Sequence, residues 1–341
     1  MSWQQVKGHD ALAKAFHRVV QRGRLAHAYL FTGPSGIGKR QFALELAQAL
    51  LCEDSPEGRL EACNHCAACA LVRANNHPDL FLAGRPEDAL ELPIDTVRDL
   101  CRSFSLKSAR GKGKVAVLDD ADDFNEESAN CFLKTLEEPP PRSVLILIGA
   151  SRERQLPTIL SRCQVVQFAP LPADLMLAIL KEKGIRDSAL LSQLVRLGGG
   201  SPGQALALAA PELWAFRRDF LKGLGQPQPD SVALSRKWME FVEEAGKESG
   251  LQRRRASLVL RLLVAFFSDA LHLSLGGSPP SVEPSELPTL RDLAGRLGPE
   301  QWLELLERCL EGDQQIDRRV QLVLVLEGLM DALGQQLTPR R

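Results

Sequence analysis

The sequence predicts an α/β domain on a mostly parallel sheet with helices on both faces, followed by a small helical domain and a larger all-helical one. Three observations carry this prediction. Short apolar runs alternate with helical patterns through the first half of the chain, a glycine loop follows the first run and opens a helix, and strand-like runs cease at Pro170. Strand, helix, strand in succession builds parallel pairs, and a parallel sheet is covered on both faces.

His27 to Thr32 is the first apolar run, and Lys39 to Leu51 then repeats apolar residues at helical spacing. Further runs fall at Asp79 to Ala83, Lys114 to Asp119, Val144 to Gly149 and Val165 to Phe168, with helical patterns at Ile94 to Phe104 and Glu126 to Glu138. Pro170 and Pro172 end this alternation. Beyond them Ala173 to Lys183, Ser188 to Leu197 and Gln204 to Ala210 read as helices, the last two separated by the break Gly198 to Gly203. From Pro211 the helices lengthen, notably Arg253 to Leu275, Pro299 to Leu310 and Gln314 to Leu333, with a proline-rich link at Pro279 to Pro288. The expected domains are 1–169, 170–210 and 211–341, in line with a length of 341 residues.

Lys and Arg number 42 against 43 Asp and Glu, so no net field draws the chain onto nucleic acid or a membrane. Any DNA contact is local or shared with partners. Lys107, Arg110, Lys112 and Lys114 crowd one glycine-containing stretch, which reads either as a phosphate-backbone contact or as a solvated turn. The purely apolar run Leu262 to Phe267 is far shorter than the about 20 residues that cross a bilayer, and Met1-Ser2-Trp3-Gln4 opens no secretory signal. The expected address is the cytoplasm, with no membrane partner.

Gly33-Pro34-Ser35-Gly36-Ile37-Gly38-Lys39 is a phosphate-binding loop: backbone amides and a helix N-terminus face the anion, and Lys39 adds a point charge. Downstream, Val115 to Leu118 is an apolar strand ending in Asp119 and Asp120, which places a carboxylate for a Mg²⁺ shell. Two departures weaken hydrolysis. Arg40 stands where a Ser or Thr hydroxyl ligates Mg²⁺, and Asp120 stands where a longer Glu polarises the attacking water. The expectation is a site for ATP with Mg²⁺ whose hydrolysis is weak or absent; the competing reading is a relic loop with ordinary solvated acids.

Cys52, Cys63, Cys66 and Cys69 follow C-x10-C-x2-C-x2-C, which presents three thiolates from one turn and a fourth from the preceding helix end. Four sulfurs around one ion describe a structural zinc site. Iron–sulfur ligation shares C-x2-C-x2-C, but its further cysteine with an adjoining proline is missing downstream. His65 and His77 are surface or turn residues in this reading, and Cys101, Cys131, Cys163 and Cys309 are buried apolar groups.

Leu133-Lys134-Thr135-Leu136-Glu137-Glu138-Pro139-Pro140, the triplet Ser161-Arg162-Cys163 and the inserted cysteine knuckle together resemble the bacterial sliding-clamp loader of DNA polymerase III, an AAA+ family. The motif match covers residues 1 to about 210. This resemblance implies that Arg162 is an arginine finger, donated in trans to a triphosphate held by an adjacent subunit. Taken by itself, Arg162 reads as a helix C-cap or the partner of a nearby acid, and it is the whole string that points to the finger. Gly200-Ser201-Pro202-Gly203 stands where a motor subunit carries an Arg, and Gly149 and Ala150 replace the polar residue expected after the fourth strand, with Ser151 the nearest hydroxyl. These departures resemble the stationary member of the loader, while an ATP-hydrolysing motor of gamma/tau type is the alternative. The implied partners are gamma/tau-like ATPase and delta-like subunits, with the sliding clamp and primer-template DNA reached through the complex. The C-terminal helices would pack in a collar; their periodicity alone shows amphipathic helices.

Overall fold

The computed structural model describes residues 3, 6–56, 58–86, 89, 91–277 and 286–338, so Met1, Ser2 and Gln4 and most of the link at 279–288 lie outside it. The chain forms two compact units, one of Met1–Ile179 with Gly200–Gln204 and one of Leu180–Gly199 with Ala205–Arg341.

The first unit holds a five-stranded parallel sheet in the order β2-β3-β4-β1-β5. Its strands are β1 (Ala28–Thr32), β2 (Leu80–Ala83), β3 (Lys114–Leu118), β4 (Ser143–Ile148) and β5 (Gln164–Gln167). β1, β3 and β4 are buried along their whole length, as continuous apolar runs must be when both faces are covered. β5 is an edge strand whose Gln164 and Gln167 are exposed. In register, Leu30 faces Leu147 on one side and Val165 on the other.

Helices α1 (Asp10–Gln21), α2 (Lys39–Leu51), α3 (Ala67–Arg73), α4 (Ile94–Ser105), α5 (Glu126–Glu137), α6 (Pro157–Leu160) and α7 (Ala173–Glu182) accompany the sheet, the end of α7 passing into the second unit. The period of two along β1 sorts its side chains. Tyr29 and Phe31 join Phe16, Phe42 and Phe168 in one aromatic cluster, with Phe42 and Phe168 centroids 5.3 Å apart. Ala28 and Leu30 turn to the other face, where Leu145, Leu147, Phe104 and Phe132 pack. Asn125 caps α5 by accepting from the Ser128 amide at 2.8 Å, which ends the extended stretch and starts the helix. β1 lies between β4 and β5, so chain order reverses there. The carboxyl ends of β1, β3 and β4 therefore open into one crevice, where such sheets place ligands.

The second unit consists of helices: α8 (Ser188–Leu197), the end of α9 (Pro202–Ala207), α10 (Pro211–Leu224), α11 (Ser231–Glu243), α12 (Ser249–Ser274), α13 (Leu287–Arg296), α14 (Pro299–Asp317) and α15 (Leu322–Leu337). Trp238, Phe220, Phe266, Phe267 and Trp302 fill its core. α12 alone, among the described residues, is long and apolar enough by length and composition to cross a membrane, with a mean hydropathy of 1.6 over its best window. Its apolar character has a local cause. α10, α11, α13 and α14 pack around it, and its Asp269 is buried and paired with Arg196 of α8 at 2.9 Å.

One sequence expectation shifts. The helix break anticipated near 311–313 does not occur, because Gly312 stays helical within α14, buried beside Leu329 and Leu260. The chain turns instead at Arg319, whose φ of 59° is left-handed without glycine.

Candidate functional site

The glycine loop joins β1 to α2 and forms one wall of a cleft of about 370 Å³, lined by Ser35, Gly36, Gly38, Lys39, Arg40 and Gln41. Asp119, Asp120 and Asp122 line the opposite wall beyond β3, and Ile148, Gly149 and Ala150 close its floor at the end of β4. The structure thus brings together the residues assigned to phosphate and metal binding, although they come from three separate strand ends.

Gly33 and Gly36 have φ of 142° and 74°, and a Cβ on Gly33 would sit 2.5 Å from the Phe168 carbonyl oxygen. No backbone carbonyl among the described residues accepts from the amides of Gly36 to Arg40, and of these residues Gly36, Gly38, Lys39 and Arg40 line the cleft. Lys39 is 7% exposed. Its ammonium donates to the carbonyls of Gly33 and Pro34, the second at 2.9 Å, leaving one N–H for a ligand. Burial pulls its pKa below the ordinary lysine value, against the opposing fields of Asp122, Asp119 and Asp120.

Gly200–Gln204 covers the loop from within the same unit. Ser201 Oγ donates to the Ser35 carbonyl at 2.7 Å and Gly203 N donates to the Gly36 carbonyl at 2.9 Å. A Cβ on Gly203 would lie 2.7 Å from Gly36 Cα. The Gly-Ser-Pro-Gly string is therefore a backbone clamp on the phosphate loop.

Arg40 Nη1 lies 2.5 Å from Asp119 Oδ2. Burial pushes the Asp119 carboxyl above the ordinary aspartate value, and Arg40 works against that shift. Asp122, which the sequence reading passed over, accepts from the Ala150 amide and from the Gln155 side chain. A Cβ at Gly149 would come within 2.7 Å of both Asp122 and Gln155, so the glycine after β4 makes room for this network. Asp120 sits at a left-handed φ of 56° on the cleft edge. Mg²⁺ fits this donor set poorly: the hydroxyl is missing, Asp119 holds a guanidinium through Oδ2, and each Asp122 oxygen already accepts one hydrogen bond.

Cys52, Cys63, Cys66 and Cys69 place their sulfurs within 4.8 Å of one another. The Cys52–Cys66 and Cys63–Cys69 sulfur pairs are each 3.9 Å apart, close to the roughly 3.8 Å edge of a tetrahedron with 2.3 Å metal–sulfur arms. Backbone amides of Cys63, Cys66 and Cys69 donate to the sulfurs of Cys52, Cys63 and Cys66. Burial opposes ionisation of Cys66, yet the amides of Cys69 and Glu53 bring its thiol down to about 6. Burial lifts Cys69 to about 12. These four residues are able to hold one metal ion. His65 is exposed, as expected, but His77 is 3% exposed and accepts from the Asp79 amide through Nδ1. Of the remaining cysteines, Cys163 and Cys309 are buried while Cys101 and Cys131 are half-buried.

Arg162 follows α6. Its Nε and Nη2 donate to Glu137 Oε1, at 2.9 and 2.5 Å, and Nη1 donates to the Thr158 carbonyl and Ser161 Oγ at 3.0 Å each. The helix-end and acid-partner contacts are thus both present. The side chain nevertheless remains 33% exposed, with its guanidinium at the surface of its own unit.

The family model described as "DNA polymerase III, delta subunit" matches residues 8–172. DNA polymerase III subunit delta' of Pseudomonas aeruginosa is 38% identical over 217 residues, 63% of this chain and 65% of that protein. The Escherichia coli subunit delta' is 32% identical over 281 residues, 82% of this chain and 79% of that protein. The chain belongs to the delta-prime family of DNA polymerase III subunits. A subunit gamma/tau, from Mycobacterium bovis, is 31% identical over 212 residues, 61% of this chain and 36% of that protein.

In this delta-prime family member the basic stretch at 107–114 is not one free patch. Lys114 is 4% exposed, begins β3 and donates to the Ser103 carbonyl at 2.7 Å. Arg110 pairs with Glu53 at 2.7 Å. Buried Asp79 anchors the turn by accepting from Ala109 N, Arg110 N and Ser108 Oγ. The solvated-turn reading holds in part for Lys107, Arg110 and Lys112 and fails for Lys114, whose neighbour is the Phe81 ring.

Proposed function

We propose that this chain is a clamp-loader subunit in DNA replication, one that assembles with ATPase subunits and donates Arg162 in trans while hydrolysing little or no ATP itself. One observation carries the reading: the cleft keeps its phosphate loop but directs Arg40 onto Asp119, while a second arginine, Arg162, stands half-exposed at the surface. A guanidinium at a neighbour's triphosphate stabilises charge on the transferred phosphoryl group, worth about 10³–10⁵ in rate. Membership of the delta-prime family supports the assembly role.

In the same proposal gamma/tau-like and delta-like subunits are the direct partners, and the sliding clamp and primer-template DNA are reached through the complex in the cytoplasm. Residues 1–169 form the AAA+ domain, 170–210 a lid and 211–341 a collar. Zinc at Cys52, Cys63, Cys66 and Cys69 staples the excursion after α2, because four thiolates leave no open coordination position for chemistry. Gly33, Gly36, Gly38 and Lys39 would hold the phosphates of ATP.

The test is a reconstituted loader carrying Arg162→Ala. Assembly should be intact and clamp loading slowed by at least about 10³-fold; loading at the normal rate removes the finger. An active motor is the second reading, favoured by the intact Lys39 and the likeness to gamma/tau. Steady ATP turnover by the purified chain, lost in Lys39→Ala, would establish it.

A further inference from the structure

We infer that Arg40 occupies the divalent-cation position of the cleft, so that the site takes a nucleoside triphosphate in its metal-free form. This rests on the nucleotide-binding reading above and specifies which form of the ligand the site accepts.

The argument begins at Asp119. It ends the strand run beside the glycine loop, and in that position a carboxylate serves the metal shell. Here its Oδ2 takes Arg40 Nη1 at 2.5 Å. Magnesium needs near-octahedral oxygens at about 2.0–2.1 Å and sheds water reluctantly. At Asp119 it would have either to displace the guanidinium from Oδ2 or to bind Oδ1 beside a positive charge already neutralising that carboxylate. Asp122 is a poorer ligand than a free carboxylate, since Ala150 N and Gln155 each take one lone pair of its two oxygens and fix its orientation. Asp120 remains, and one exposed carboxylate by itself is a weak magnesium ligand.

The phosphate side of the cleft has what the metal side lacks. The amides of the lining residues Gly36, Gly38, Lys39 and Arg40 have no backbone acceptor, Lys39 keeps one N–H, and the α2 N-terminus adds its partial charge. Arg40 is 57% exposed at the side chain and spends one of its five N–H donors on Asp119. The others are available to phosphate oxygens that Mg²⁺ would otherwise bridge, and a planar guanidinium suits them. Asp120 and Asp122 still line the cleft, so affinity is modest and salt-sensitive.

The experiment is calorimetric titration of the full chain with ATP in buffer freed of divalent ions by resin, and again with excess Mg²⁺. A chelator is avoided because it would strip the cysteine centre. The expected dissociation constants differ by less than about threefold, whereas Arg40→Ser should bind at least about tenfold more tightly with Mg²⁺ than without it. A wild-type requirement for Mg²⁺ of threefold or more overturns the inference and leaves nucleotide binding standing. Mg²⁺-independence persisting in Arg40→Ser removes Arg40 from the explanation. No heat at millimolar ATP in either buffer overturns the nucleotide reading itself, and this inference with it.

Discussion

Gly33→Ala tests how the phosphate loop is held. At φ 142° the backbone is in a region that L side chains rarely enter, and the new Cβ would lie 2.5 Å from the Phe168 carbonyl oxygen and 3.1 Å from Phe168 Cβ. That oxygen cannot retreat easily. Phe168 N donates to the Thr32 carbonyl at 2.7 Å, and the Phe168 ring packs on Phe31, Phe42 and His9. Backbone strain of about 1–3 kcal/mol adds to overpacking of about 1–3 kcal/mol, giving a middle value of about 4 kcal/mol. For a unit of this size each kcal/mol moves Tm by about 2–4 °C. Calorimetry should therefore find the first unit melting roughly 8–16 °C lower. Gly23→Ala is the control: its φ is 63° and nothing lies within 4 Å of the new Cβ. It should cost about 1 kcal/mol, or roughly 2–4 °C. Equal shifts for the two variants would refute the claim that the loop is welded to the end of β5.

Metal analysis should find one zinc per chain, and its removal should raise amide exchange at residues 52–69 while β1, β3 and β4 stay protected; iron with acid-labile sulfide, or exchange spreading through the sheet, would contradict a zinc staple. Burial holds the His77 imidazole neutral and its pKa below the ordinary 6.5, outweighing the pull of Asp79. Below pH 6.5 the unfolded chain takes up a proton that folded His77 refuses, so the first unit loses stability as pH falls through that value. His77→Gln keeps an acceptor for the Asp79 amide and should flatten the slope of urea-unfolding stability between pH 7 and 5; an unchanged slope assigns the effect elsewhere.

The central strands were readable because burial on both faces leaves no polar alternation to interpret, and Val144 to Gly149 ran within one residue of the observed Ser143–Ile148. The convergence of the four cysteines was readable from spacing alone, since one turn brings Cys63, Cys66 and Cys69 together. The α14–α15 boundary was not. The segment Glu311 to Asp313 has no apolar residue to continue the pattern, the burial of Gly312 beside Leu329 and Leu260 is visible only in the fold, and the left-handed Arg319 carries no sequence mark. Long-range pairs were equally hidden. Arg40 and Asp119 are 79 positions apart and meet only because β4 brings the carboxyl ends of β1 and β3 to one crevice. Asp122 sat within a legible acidic run, but its partner Gln155 belongs to a different loop.

The two arginines illustrate how placement decides a shared chemistry. Arg40 binds Asp119, whose side chain is only 18% exposed, so separating them would leave a carboxylate with little water to replace the guanidinium. Arg162 binds Glu137, which is 51% exposed and is readily rehydrated if the arginine departs. An exposed pair of that kind is worth at most about 1 kcal/mol, while a charge-assisted bond to phosphate is among the stronger polar contacts. Exchanging Glu137 for another anion would also require Arg162 to leave the Thr158 carbonyl and Ser161 Oγ, both exposed and open to water, whereas Arg40 leaving Asp119 would strand a largely buried carboxylate. Were Arg162 to serve a neighbouring triphosphate, as proposed, the exposure of Glu137 is what would let it leave, whereas the burial of Asp119 keeps Arg40 in the cleft.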